Sequence, residues 1–458
     1  MHDDFFHTNH PNYILYPNTC SCKPINYYRF GKGIPKKGNT KQESNLRRMS
    51  MEAKKKRDLA ALAFIPLVMT LGNSMLIPVL PQIEKTIGIN DLQSSMIITV
   101  YSISSIVLIP VAGFLSDRFG RKKVMVPSLI ITGAGGLLSG LSSLLFQNPY
   151  GWILGGRILQ GIGASGAFPV VIPCVGDMFK NESDVSKGLG IIETSNTIGK
   201  VLSPILGAAL GLIAWYTPFL AIPVLSAVAV FLIIIWVKVK KGKEDGEKQK
   251  FREFIKKLGD VFKEKGRWIY PIFVMGFICM FVHFGDLFYL SSVLEDKFQF
   301  EGIIKGLIMA IPLLFLSAAS FITGSKIGSN KVLMKWIIFS GSLIVAASVA
   351  WIGFVESLVL IIAIFSVASI GIGCALPCLD SLITEGVQKE NRGTISSFFS
   401  GARLVGVALG PPLISLLIGW DLKIAFFVLA GTGVISALSA FFFIKPQNDK
   451  EKIRGKSL

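Results

Sequence analysis

From Leu59 onward the chain alternates between apolar segments of about 20 residues and short polar connectors. About 20 apolar residues is the length at which an α-helix crosses the hydrocarbon core of a bilayer. Twelve such segments stand out, at 59–80, 94–115, 124–146, 151–173, 188–211, 215–237, 268–292, 303–323, 332–354, 357–377, 394–418 and 424–444. The pattern predicts an all-α membrane protein with twelve transmembrane helices. Residues 1–50 do not share it: they are polar, spotted with aromatics and without helical or strand period, which predicts a disordered tail. A misassigned start is the other reading, with Met51-Glu-Ala-Lys-Lys-Lys-Arg57 as the basic leader before the first span.

The connectors alternate in charge. With the N-terminus inside, 116–123, 174–187, 238–267, 324–331, 378–393 and the tail 445–458 are cytoplasmic and, with residues 51–58, hold most of the basic residues. The outer connectors hold four, Lys85, Lys297, Lys305 and Lys423. By the positive-inside rule both termini are expected in the cytoplasm. The longest gap, 238–267, carries 12 basic and 6 acidic residues and divides the chain into bundles of six helices at 51–237 and 268–444. Inside that linker Phe251, Phe254, Ile255, Leu258, Val261 and Phe262 recur at helical spacing, which fits either an amphipathic helix on the inner membrane face or a solvated connector.

An internal repeat supports the division. Gly161-Ile-Gly163 pairs with Gly371-Ile-Gly373, and Gly199-x3-Ser203-Pro204 pairs with Gly406-x3-Gly410-Pro411, at offsets of 210 and 207. Two similar halves imply a central site between them that opens alternately to each side.

Composition agrees with a membrane protein. Only 17% of the 458 residues are charged and 51% are hydrophobic, with mean hydropathy +0.57, whereas soluble chains average about 25% charge. The net charge of +18 would point to nucleic acid in a soluble protein; its sidedness assigns it to the lipid bilayer instead, with no nucleic-acid partner. Six cysteines form no pairing pattern and are expected as free thiols. His2, His7, His10, Cys20 and Cys22 match no zinc spacing, so no metal site is expected. The opening residues lack the apolar core and small-residue cleavage site of a secretory signal. No phosphate-binding G-x-x-x-x-G-K-[ST] occurs, and the G-x-G-x-x-G at Gly161, Gly163 and Gly166 lies inside an apolar helix with no strand before it. No cofactor and no enzymatic reaction are expected.

The connector after the second span reads Gly113-Phe-Leu-Ser-Asp117-Arg118-Phe-Gly120-Arg121-Lys122. It matches the G-x-x-x-D-R-x-G-R-[RK] signature of the major facilitator superfamily at every defined position, and the chain resembles that family from Lys54 to about Lys445. Gly113 would let helices approach, while Asp117, Arg118, Gly120 and Arg121 would form a cytoplasmic gate. Its counterpart in the second half, 324–331, is degenerate and lacks the acid. The fifth span reads Gly190-x8-Gly199-x3-Ser203-Pro204-x2-Gly207, close to the pattern that the twelve-helix drug:proton antiporters associate with export. Ser203 and Ala208 replace two of its glycines. Among such antiporters the chain looks most like Gram-positive multidrug exporters, including relatives that export siderophores.

The ionisable residues inside spans carry the chemical expectations, because charge in hydrocarbon is retained mainly for function. Arg157 of the fourth span corresponds to an arginine the family associates with proton coupling; a buried brace between helices is the competing reading. Glu193 is the first candidate for the proton-binding carboxylate and Asp286 the second, with an interfacial position for Asp286 equally open. Asn73, Tyr101, Lys200, Phe281 and Arg403 are candidate substrate contacts, and His283 is read as a packed polar residue. The resemblance implies a monomeric, proton-coupled exporter of hydrophobic drugs or small metabolites in the cytoplasmic membrane. Its partners would be a small-molecule substrate, protons and lipid. The alternatives are an uptake facilitator or proton symporter, and an exporter of a narrow substrate such as a siderophore. A non-transporting sensor with the same fold is a further rival.

Overall fold

A computed structural model describes residues 40–179, 182–237, 251–328, 330–386 and 389–444. Most of the N-terminal stretch, including its histidines and first two cysteines, the tail from 445, and linker residues 238–250 lie outside the described residues, as do the side chains of 251–267. The α-helices are α1 (Thr40–Ser74), α2 (Leu80–Ile87), α3 (Asp91–Phe119), α4 (Arg121–Leu145), α5 (Tyr150–Met178), α6 (Glu182–Gly211) and α7 (Thr217–Trp236). They continue as α8 (Phe251–Asp296), α9 (Gly302–Lys326), α10 (Lys331–Ala350), α11 (Leu358–Gly386), α12 (Lys389–Ile418) and α13 (Leu422–Phe443).

Local chemistry explains most of the boundaries. Pro78 and Pro81 remove backbone donors, so the first span breaks into α1, a 3-10 turn over Ile77–Val79, and α2. Helix α3 starts at a capping box: the Asn90 side chain accepts from the Gln93 N–H at 2.8 Å, and Gln93 accepts from the Asn90 N–H at 3.0 Å. Gly120, at φ 99°, makes the left-handed turn between α3 and α4 that a side chain would strain. In α11 the helix passes through Pro377 and ends only at Gly386, about nine residues beyond the predicted 377. Proline is tolerated in a membrane helix when neighbours re-satisfy the freed carbonyl.

Eleven helices among the described residues are long and apolar enough to cross a membrane. Helix α6 has the length but is more polar, carrying Glu193, Asn196 and Lys200. Large apolar side chains such as Val107, Phe231, Phe321 and Val359 stand exposed on the flanks of the bundle, which suits hydrocarbon rather than water.

Small residues set the packing. In the set α1–α7, α5 lies between α3 and α4: Gly161 faces the Tyr101 carbonyl, and Gly163 faces Ser128 and Thr132. In the set α8–α13, α11 lies between α9 and α10, with Gly371 against Gly341 and Gly373 against Leu316 and Ala319. The 210-residue pairing therefore matches opposite faces, because Gly161 meets the second span whereas Gly371 meets the ninth. Periodicity alone cannot separate two small-residue faces on one helix. The 207-residue pairing matches like with like: Gly199 packs on α1 near Thr70, and Gly406 packs on α8 near Phe277. The predicted linker helix is continuous with the seventh span, since α8 begins at Phe251.

Candidate functional site

Seven helices, α1, α3, α5 and α6 of the first set and α8, α11 and α12 of the second, enclose a cavity of about 440 Å³. Its wall reaches Ile109, Ile172, Leu189, Thr384 and Ser396, near the ends of α3, α5, α6, α11 and α12 that join the basic connectors. At the opposite end the two sets are pinned together. Ser291 of α8 donates to the Ile77 carbonyl at 2.8 Å, and Lys85 pairs with Glu295 and Asp296, each at 3.1 Å. Lys305 is buried and holds Glu295 from behind at 2.8 Å. On α9, Gly306 lies so close to α6 that a Cβ there would come within 2.9 Å of Ala208 and Ile205. Glycine on one helix and Pro204 on the other bring the backbones together.

Four charged residues meet across the cavity: Glu193 and Lys200 on α6, Asp380 on α11 and Arg403 on α12. Arg403 Nη1 reaches Asp380 Oδ1 at 3.4 Å and lies over the Phe399 ring at 5.8 Å. Asn196 donates to Glu193 at 3.2 Å and accepts from Thr70 at 2.5 Å. Phe168, Phe284 and Phe399 add aromatic wall. Charges of both signs in an otherwise apolar chamber can orient a ligand that carries both donors and acceptors.

Arg157 is fully buried at the edge of this site. It donates to the Ile97 carbonyl at 2.8 Å, the Gly72 carbonyl at 3.1 Å, Gln160 at 2.5 Å and Asn73 at 2.6 Å, and it stacks 4.4 Å from the Tyr101 ring centre. Its acceptors are all neutral oxygens on α1, α3 and α5, the geometry of a brace. Asn73 and Tyr101 line the cavity, but both are engaged by this arginine. Lys200 reaches the cavity and also a smaller hollow beside His283.

Three expectations change. Phe281 is not in the cavity wall; it stacks on Phe277 and packs against Gly406 and Gly410 of α12, while Met280 and Phe284 face the cavity. Asp286 is neither in the wall nor interfacial: it is buried within α8, and its Oδ1 has no hydrogen-bond partner among the described residues. Gly113 approaches no helix, because nothing lies within 4 Å of a Cβ placed there. A glycine conveys permission for close contact, and whether a neighbour uses it depends on how the bundle is packed at that end.

The remaining signature residues form a network inside the first set. Arg121 pairs with Asp117, and it reaches Asp177 at 3.2 Å and Ser116 at 2.7 Å. Arg118 lies over Phe119. Along α6, Gly190 faces open space and lines the cavity, whereas Gly199 packs on α1 and Gly207 on Met75 and Pro78 just beyond its end, and the Ser203 hydroxyl donates to the Lys200 carbonyl. Sequence reasoning missed Asp380, Asp177 and the buried Lys305–Glu295 pair by placing them in connectors. For Asp380 a signal existed: Cys378, Leu379, Leu382 and Ile383 continue the apolar run past Pro377.

The sequence model of the Major Facilitator Superfamily matches residues 62–411. The chain belongs to the Major Facilitator Superfamily. It is 47% identical over 397 residues to the bacillibactin exporter of Bacillus subtilis, a match covering 86% of this chain and 98% of that protein. It is 25% identical over 410 residues to the class B tetracycline resistance protein of Escherichia coli, covering 85% and 96%. Among solved structures, a D-xylose-proton symporter superposes with a TM-score of 0.69 at 14% identity, covering 85% of this chain and 98% of that one; this likeness concerns the fold. The resemblance read from the motifs holds, and the protein is a transporter of small organic solutes rather than an enzyme. It is a multi-pass protein of the cytoplasmic membrane. All four described cysteines are free.

Proposed function

We propose that this transporter is an exporter of a narrow small-metabolite substrate, a siderophore such as bacillibactin, rather than a broad multidrug pump. The carrying observation is the 47% identity to the bacillibactin exporter across 98% of its length, against 25% to a tetracycline resistance protein of similar coverage. In this reading α6 is the twelfth span. Residues 51–237 and 268–444 are two six-helix halves joined by the linker 238–267, and both termini are cytoplasmic. The cavity then faces the cytoplasm, and the Lys85–Glu295 end is the closed outer side.

Export is driven by an inward proton gradient exchanged at an acid of the cavity, a role the sequence offers first to Glu193, with Lys200 and Arg403 as substrate contacts. Arg157 braces α1, α3 and α5. Asp117, Arg118, Gly120 and Arg121 form the cytoplasmic gate that is open in this state, and Gly113 receives its neighbour when the inner side closes.

The test is secretion of bacillibactin by cells lacking their own exporter and expressing this chain. Mass spectrometry of the medium, with and without a proton uncoupler, is read beside tetracycline susceptibility. Restored, uncoupler-sensitive secretion with unchanged susceptibility is expected. Raised tetracycline resistance without secretion would replace this reading with the multidrug one.

A further inference from the structure

We infer that Asp380 is the residue at which a proton and a substrate hydroxyl exclude one another, and that the cavity takes an uncharged, hydroxyl-rich aromatic ligand. This rests on the export reading above and adds to it a coupling residue and a ligand class.

The geometry separates Asp380 from Asp286 and Glu193. Asp286 lies outside the cavity wall, buried in the second set of helices. Glu193 accepts from the Asn196 amide at 3.2 Å, a neutral hydrogen bond that a carboxyl group can keep whether or not it carries a proton. Asp380 instead faces a cation, through one oxygen, at 3.4 Å. That is longer than the ~2.7–2.9 Å of a well-formed charge-assisted bond and lacks the second contact of a bidentate pair. Its side chain is 41% exposed while that of Arg403 is 16% exposed, so the carboxylate is the member of the pair presented to the cavity.

The titratable groups facing Asp380 are Arg403 on α12 and Glu193 and Lys200 on α6. Cys279 on α8 and Cys378 on α11 also lie within its electrostatic reach, with Cys374 beside Cys378. Of the cations on α9 and α10, Lys305 is committed to Glu295 at the far end, Lys335 lies over Phe441, and Lys326 and Lys331 are the terminal residues of their helices.

With both acids ionised, Glu193 and Asp380 balance Lys200 and Arg403, and the four side chains sum to no net charge. Such a chamber has no net attraction for an ion. It offers carboxylate acceptors for hydroxyl donors, cationic donors for carbonyl oxygens, and Phe168, Phe284 and Phe399 for rings. Two neighbouring hydroxyls donating to both Asp380 oxygens require its carboxylate form, because a carboxyl oxygen that carries the proton is a donor. A proton on either oxygen breaks one of those two bonds and loosens Arg403. Substrate and proton thus compete for one oxygen pair, which is the linkage an exchanger requires. An anionic ligand would bind the freed Arg403 and draw a proton in with it, the opposite linkage.

The experiment uses the full chain in lipid nanodiscs, with iron-free bacillibactin and catechol, the simplest ligand of the class, as probes. Binding is measured by calorimetry across pH, and the protonated-carboxyl infrared band is recorded without ligand. In wild type, affinity is expected to fall about tenfold per pH unit on the acid side, the slope of a one-proton linkage, with a proton released on binding. Asp380→Asn should bind more weakly with no pH slope and no proton release, and should lose one carboxyl band; Asp380→Glu should restore all four. A pH slope and proton release that persist in Asp380→Asn overturn the assignment even if bacillibactin binds. If neither probe binds wild type, the ligand class and the export substrate are overturned together. The infrared band then still reports on the proton, and its persistence in Asp380→Asn overturns the coupling role.

Discussion

Replacing Arg157 by methionine separates a brace from a proton relay. The substitution keeps an unbranched apolar stem, shorter than arginine, and removes the guanidinium whose N–H groups now reach Ile97, Gly72, Gln160 and Asn73. Hydrogen bonds between membrane helices average ~0.6 kcal/mol, so the three that reach α1 and α3 set a lower estimate of roughly 1.8 kcal/mol by that average. The two side-chain amides can turn toward each other, since Gln160 Nε2 is already without a partner among the described residues. The Ile97 and Gly72 carbonyls cannot turn, and a buried polar atom left unmatched costs about 1–3 kcal/mol. Together these give an expected loss on the order of 2–5 kcal/mol. The assay is thermal melting of the purified transporter, paired with proton release on substrate binding. A clear drop in melting temperature is expected, with protons released per bound substrate unchanged. Arg157→Lys should recover only part of the stability, because one ammonium cannot reach donors' partners on three helices. A methionine variant that melts with wild type but releases no proton would refute the brace and restore the proton role.

Glu295→Gln leaves Lys305, whose side chain is 2% exposed, without an anionic partner and should cost about 3–5 kcal/mol. Lys85→Met removes the pairs with Glu295 and Asp296, but the lysine is 58% exposed and the loss should be under about 1 kcal/mol; equal melting temperatures for the two variants would sink this ranking. Gly207→Val places a Cβ 2.8 Å from the Met75 carbonyl carbon and 3.0 Å from Pro78, so folded yield should collapse. Gly190→Ala, which meets nothing within 4 Å, should melt with wild type, and size-exclusion profiles of the two proteins check this.

Much of the architecture was legible along the chain. Apolar length marks a span, because that signal is local and repeats with every helix; the motif at 113–122 added the family. The functional residues were legible in kind and only partly in place. Glu193, Lys200 and Arg403 do meet in one cavity, whereas Phe281 and Asp286 sit elsewhere on α8. A helix that is apolar all round gives no phase from which to read the cavity side.

What tertiary structure alone decided is which charges face each other. Asp380 and Arg403 are 23 residues apart and join through the packing of α11 beside α12, and Lys85 meets Glu295 from 210 residues away. The sequence states that buried ions must be paired, since an isolated charge in hydrocarbon is too costly to keep. The partner is chosen by helix packing, and helix packing depends on where glycines on one span meet carbonyls on another. Sequence by itself therefore determined the membrane fold, its family and the stock of charged groups. The closed end at Lys85 and Glu295, the cavity at the other end and the pairing of those groups were decided only when the helices came together.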